Sequence, residues 1–382
     1  MNLVRLTNSG RIIQLRVDQS FWSTIFLPGI FLLIVALDAN AQAYEPAAAD
    51  GKMVIPAVRA DQSVLLDVVA IGERLVAVGE RGHILLSDDE GRSWQQSLNV
   101  PTRTLLTSIT VNAGQLWVAG HASTILTSLD NGDTWQLQYS DINADPILGI
   151  YFDDAQHGYA VGAYGLFMRT ENSGEAWNIY LMNELIVSQP VVELQFDETE
   201  SVEATETEQE HGFLDQSELV DYEDEGIDYH LNGIIRVNSE TLLVAAESGH
   251  GYYSRDDGET WQQFRLPYDG SMFGALSIQD GRCVLVFGLR GNVFKSCDAG
   301  YSDWISVNTG VASSLFGASQ GRDGQLWLTG ANGTLLQLSA DAKNVKQVPL
   351  GDGDDLTSLT LTAGHIILLG ESGLQRMSLD GL

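Results

Sequence analysis

From residue 65 onward, short apolar runs return at a spacing of about forty residues, each bounded by polar turns. The most regular series is LVAVG at 75–79, LWVAG at 116–120, YAVG at 159–162, LLVAA at 242–246, VLVFG at 284–288, LWLTG at 326–330 and IILLG at 366–370. Before each comes a segment such as LLDVVAI (65–71) or LTSITVN (106–112), and after each a shorter run such as ILLS (84–87) or ILTS (125–128). Runs this short, rich in β-branched and aromatic residues and separated by Gly- and Asp-containing turns, are strands.

The third run of a unit leads into an eight-residue frame, S-x-D-x-G-x-[ST]-W. It is complete at Ser87, Asp89, Gly91, Trp94; at Ser128, Asp130, Gly132, Trp135; and at Ser254, Asp256, Gly258, Trp261. Weaker copies contain Asn172, Gly174 and Trp177, and Asp298 and Gly300, where one inserted residue delays the tryptophan to Trp304. An acidic cluster such as SDDEGRSW at 87–94 invites a catalytic or metal-binding reading, but a catalytic cluster would be unique. Repetition points to structure: Asp accepts hydrogen bonds from its own turn, Gly supplies the turn's backbone conformation, and Trp anchors the hairpin. The fold expected is all-β, a seven-bladed β-propeller of four-stranded antiparallel blades with these Asp-box (BNR) hairpins between third and fourth strands.

The units begin at residues 65, 106, 147, 231, 273, 316 and 356. Trp177 and Trp261 stand about twice as far apart as their neighbours, as an eighth blade would require. The intervening residues 193–228 hold fifteen carboxylates, no Lys or Arg and no Asp-frame, so they form no blade. Residues 181–230 are expected to be an acidic, partly disordered insertion between blades three and four. Blade seven supplies three clear strands, and residues 53–59 are expected to add its fourth and close the ring.

At the N-terminus Arg5, Arg11 and Arg16 precede an apolar run over 21–37, and small residues follow at Ala39, Ala41 and Ala43. Residues 1–43 therefore read as a secretory signal peptide, placing the mature propeller, 44–382, in the periplasm or outside the cell; a retained membrane anchor is the alternative. No cysteine lies near the junction, which disfavours lipid attachment. Cys283 and Cys297 lie on either side of a turn at Leu289 and Arg290, so a cross-strand disulfide is one reading and two separate thiols the other.

Net charge is −31, which excludes most nucleic-acid roles. The segment Gly317-Ala318-Ser319-Gln320-Gly321 matches a nucleophile elbow, but a turn and another strand follow where a helix is needed. His83, His121, His230 and His250 lack metal-site spacing and read as surface or turn residues. No catalytic, metal or cofactor residue is assigned, and the chain is not read as an enzyme. The enzymatic alternative is a sialidase-like glycoside hydrolase or a carbohydrate-binding propeller; its Phe-Arg-Ile-Pro segment is matched only by Phe264-Arg265-Leu266-Pro267, after the fourth frame.

Propeller topology places the turns between second and third strands on the same side as the connectors between blades. Glu80, His121, Glu247 and Glu371 occupy those turns, and Asp352, Asp354 and Asp355 a connector, with the insertion, residues 141–145 and Asp269 on the same side. This candidate interaction face is expected to be strongly negative and to steer a partner with a basic surface, with Ca²⁺ bridging some carboxylates as an added option. A monomer is expected.

The turns of the type AVGERG (77–82), together with the repeated frames, resemble the photosystem II stability/assembly factor family of Asp-box propellers, most closely over LVAVGERGHILLSDDEGRSW (75–94). The resemblance spans residues 65–380. It implies a non-enzymatic propeller; the family's photosynthetic members bind a reaction-centre subunit during assembly through an arginine-rich patch, and similar proteins occur in non-photosynthetic bacteria. This chain departs from the patch pattern. Basic residues just before the frames remain only as Arg169 and Lys295, with Leu86 and Tyr253 at comparable positions. The expected function is that of an assembly or stability factor, or a protein-interaction scaffold, for an envelope complex.

Overall fold

A computed structural model describes residues 52–187, 228–351 and 353–380. Seven antiparallel sheets follow one another along the chain, six of four strands and the last of three. Their first strands, Leu65–Ile71, Leu106–Asn112, Ile147–Phe152, Leu231–Asn238, Met272–Ile278, Leu315–Gln320 and Leu356–Leu361, each pack against the first strand of the next blade, and the last packs against the first. This is the seven-bladed propeller expected.

The second strands explain the most regular part of the sequence. Arg74–Gly79, Gln115–Gly120, Thr241–Ala246 and their equivalents are buried along nearly their whole length, because a blade has neighbours on both faces. A strand covered on both faces carries a continuous apolar run, not an alternating one. The core is accordingly a series of layers between blades. Val76, Val78 and Ile84 of blade one meet Leu106, Ile109 and Leu116 of blade two, while Leu65, Leu75 and Leu85 meet Ile367 and Leu369 of blade seven.

One backbone feature recurs in all seven blades. The pairing of first and second strands skips one residue near its start, at Leu66, Thr107, Leu148, Asn232, Phe273, Phe316 and Thr357. Opposite this bulge the second strand ends in Gly in six blades and in Ala246 in the fourth. The reason is contact rather than conformational freedom: a Cβ on Gly79 would lie 2.2 Å from the Val64 carbonyl oxygen, and one on Gly120 2.1 Å from that of Leu105.

Residues 53–59 do not supply a fourth strand to blade seven. They run beside blade one, where Val54 N donates to Val100 O at 2.9 Å and the Gln96 side chain bonds both Ala57 N and Ile55 O. Two causes are visible. The fourth strand of blade one is only Gln95–Gln96 and leaves room there, and Val54 buries in the layer between blades one and two. Pro56, lacking an N–H, also suits a side-chain-bridged path better than a ladder. The signal-peptide reading of residues 1–43 lies outside the described residues.

The insertion is shorter than its expected bounds of 181–230. A helical turn, Met182–Leu185, follows the fourth strand of blade three, and Leu185 O and Val187 N then bond the backbone of Trp261 in blade four. On the far side Tyr229 O accepts from Gly165 N. Residues 188–227 lie outside the described residues.

Candidate functional site

The frames are scaffold, and the three complete ones share one wiring. In blade one Ser93 N donates to Asp89 Oδ1 (2.8 Å), Ser93 Oγ to Asp89 Oδ2 (2.6 Å), and Gly91 N to Ser87 Oγ (2.9 Å). The same bonds recur around Asp130 and Asp256, and in blade three Asn172 replaces the carboxylate while Ala176 N still donates to its Oδ1. The hydrogen bonds from Ser93, side chain first, hold Asp89 down at about 2. The glycines of the three complete frames sit against the preceding blade: a Cβ on Gly91 would press on Ile367, one on Gly132 on Leu86 and one on Gly258 on Phe167. Trp135 and Trp261 are buried, whereas Trp94 is only partly buried against the layer between blades seven and one.

Several basic residues on this side hold neighbouring blades together. Arg74 bonds Asp88 of its own frame, and Asp133 and the Asn131 carbonyl of the next. Arg169 pairs with Glu171 and with Glu259 of blade four, Lys295 donates to the Asp341 carbonyl of blade six, and Arg376 to the Glu90 carbonyl of blade one. Arg236 clamps Asp153 and Asp257. Arg169 and Lys295, the basic residues that stand just before their frames, are thus engaged within the ring.

On the opposite side, the predicted face residues do share one geometry. Glu80, His121, Glu247 and Glu371 open equivalent turns, and their backbone N–H groups donate to Val64, Leu105, His230 and Asp355 carbonyls, the residues just before the inner strands. Glu371 and His121 are exposed, Glu80 and Glu247 partly so. Asp355 accepts from Asn332 N at 2.8 Å, and Asp354 from Ser372 Oγ. Asp352 lies outside the described residues. Among the described residues no three His, Cys, Asp or Glu side chains converge as a metal site would need.

Two expectations need correction. The face is not uniformly negative: Arg81 and Arg290 stand at the second position of the same turns, Arg81 77% exposed, and Arg265 pairs with Asp269 there. Acidic side chains such as Asp88, Asp257 and Glu259 are equally exposed on the frame side. Counting only carboxylates in connectors missed the arginines, although Arg81 was legible in the AVGERG turn. Second, His83 and His250 are buried, not superficial. His250 opens the third strand of blade four and His83 directly precedes that of blade one; His83 Nδ1 lies 2.9 Å from Ser63 Oγ, and burial pushes its pKa down.

Several smaller readings resolve. Cys283 and Cys297 are disulfide-bonded directly across the hairpin, with Cα atoms 4.1 Å apart. Ser319 lies in the inner strand Leu315–Gln320, not at an elbow. Arg265 of the Phe264–Pro267 segment contacts His250 as well as Asp269. No helix of the described residues is long and apolar enough to cross a membrane.

A family model described as photosynthesis system II assembly factor YCF48 matches residues 136–352, and one for a DUF6242 β-propeller domain matches 50–209. The photosystem II assembly lipoprotein Ycf48 of Synechococcus sp. (strain CC9605) is 24% identical over 327 residues, covering 72% of this chain and 96% of its own length. That of Parasynechococcus marenigrum (strain WH8102) is 25% identical over 257 residues, covering 65% and 76%. Among solved structures, YCF48 from Cyanidioschyzon merolae superposes with a TM-score of 0.61 at 16% identity, covering 87% of this chain and 99% of that one. YCF48 bound to a D1 peptide gives 0.60 at 14%, covering 84% and 95%. With the family model spanning more than half of its length, the chain belongs to the photosynthesis system II assembly factor YCF48 family of β-propellers.

Proposed function

We propose that this propeller acts without catalysis, as an assembly or stability factor that docks a membrane or envelope protein complex through the face carrying the inter-blade connectors. The observation that carries this reading is a division of labour between the two faces. On the frame side, Arg74, Arg169, Arg236, Lys295 and Arg376 are consumed in bridges between blades. On the connector side, Glu80, Glu247 and Glu371 occupy one repeated position whose backbone is pinned to the start of the inner strand. A pinned backbone presents a side chain at little ordering cost, which favours recognition. Arg81 and Arg290 beside them make the complementary surface a mixed one, basic with some acid, which gives register as well as attraction. A solved relative holds a peptide of D1, and the proposal for this chain is a membrane-protein segment as partner, met in the periplasm or outside the cell after removal of the leader.

The test is purification of the tagged mature protein from its own envelope at low and high salt, beside a Glu80→Gln, Glu247→Gln, Glu371→Gln variant. A specific partner kept by the parent at low salt and lost by the variant supports the reading. An identical partner list for both proteins overturns the assignment of the face.

A further inference from the structure

We infer that the Cys283–Cys297 disulfide is a thiol–disulfide exchange site, open to a dithiol reductant and coupled to the junction between blades four and five. It joins the second and third strands of blade five at the end that faces the frames. Cys283 is buried, whereas Cys297 is exposed, and both line a groove of about 770 Å³ between the two blades. Arg255 and Arg282 line the same groove. The carboxylates of Glu240 and Asp298 line it too, so what opens the disulfide to an attacking thiolate is the exposure of Cys297.

The frame of blade five explains why exchange would matter. In blades one, two and four the frame Gly N–H donates to the Ser hydroxyl, closing the turn. In blade five Asp298 N donates to Ser296 Oγ at 3.2 Å, as the frame Asp N does in those three blades, but among the described residues no bond joins Gly300 N to that hydroxyl. The disulfide sits next to Ser296 and holds the start of a frame that lacks this closure. That frame receives the clasp from blade four, Arg255 donating to the Ala299 carbonyl. Further along, Tyr301 is buried against Tyr253 and Phe264, so loosening would stop there.

The chemistry balances as a two-electron exchange. A thiolate of the dithiol attacks Cys297 Sγ, forming a mixed disulfide and releasing Cys283 as a thiolate that takes up a proton. The second thiol of the reductant then attacks the mixed disulfide, loses its own proton, and leaves with its partner oxidised while Cys297 departs as a thiol. Residues 297–300 are thereby freed, and with them the Arg255 clasp.

The folded mature protein is treated with graded dithiothreitol, trapped with iodoacetamide and followed by mass spectrometry and amide hydrogen exchange, beside a Cys283→Ala, Cys297→Ala variant. Both cysteines should alkylate while the amides of Val284–Val286 stay protected, and exchange over 297–300 should rise about tenfold. The double variant should show that rise without reductant, and a brief glutathione pulse on the parent protein should leave an adduct on Cys297. Alkylation only under unfolding conditions, a glutathione adduct on Cys283, or unchanged exchange over 297–300 after reduction would each overturn the inference.

Discussion

Ser358 Oγ of blade seven donates to Asp67 Oδ1 of blade one at 3.0 Å, across the junction where the ring closes. Asp67 also accepts from Val68 N and, in blade two, from Ile109 N, both at 2.9 Å. Thr357 Oγ1 reaches Leu65 O at 2.6 Å beside it. One carboxylate therefore ties three consecutive inner strands. The equivalent positions in blades three to six are Gly149, Gly233, Gly274 and Gly317, so the tie is confined to the seam.

Asp67→Ala should lower stability by about 2–3 kcal/mol, since it strands several donors in the channel wall. A pH series separates this from general damage. Desolvation raises the Asp67 pKa above its ordinary value, against the pull of its hydrogen bonds. The stability it lends is then fully present below the unfolded value of 3.8 and declines as pH rises through the folded pKa. The melting advantage of the parent over Asp67→Asn should thus be larger near pH 4 than near pH 7; the opposite trend would refute the assignment.

Arg236 should be the most costly of the bridging basics to remove. Its side chain is 13% exposed and faces Asp153 at 20%, so Arg236→Met leaves a carboxylate poorly solvated and should cost about 2–3 kcal/mol in denaturant titrations. Arg74→Met, whose partners Asp88 and Asp133 are largely exposed, should cost about 1 kcal/mol or less and should fade in salt.

Within a frame the hydroxyl should matter more than the charge. Ser254→Ala removes the buried acceptor of Gly258 N and should cost about 1–2 kcal/mol, whereas Asp256→Asn should be milder, because Asn172 already performs that role in blade three. The depressed pKa of Asp89 has the opposite sign to Asp67: its contribution is present above 3.8 and is lost as pH falls toward about 2. Melting curves of Asp89→Asn should therefore converge on those of the parent below pH 3.

The repeat was legible because its causes are local. Double-sided burial writes continuous apolar runs into every second strand, and the Asp-frame writes Ser, Asp and Gly at fixed spacing. The path of residues 53–59 was not legible, because the Gln96 side chain and the Val54 pocket that divert it belong to another part of the chain. The bulge after each inner-strand start was hidden too, since its marker is a Gly whose reason is the nearby carbonyl. As for the candidate site, topology placed Glu80, Glu247 and Glu371 correctly on one side, but their neighbours Arg81 and Arg290 changed its charge.

If the connector face meets the partner, it is the side that should cross-link to it. Cross-linking mass spectrometry of the tagged protein in its own envelope tests it directly, using a carboxylate–amine reagent that reaches Glu and Asp on both faces. Intermolecular links should form from Glu80, Glu371 and Glu247, with Asp257 and Glu259 on the frame side unlinked. Links concentrated on Asp257 and Glu259, with the connector side bare, would contradict it.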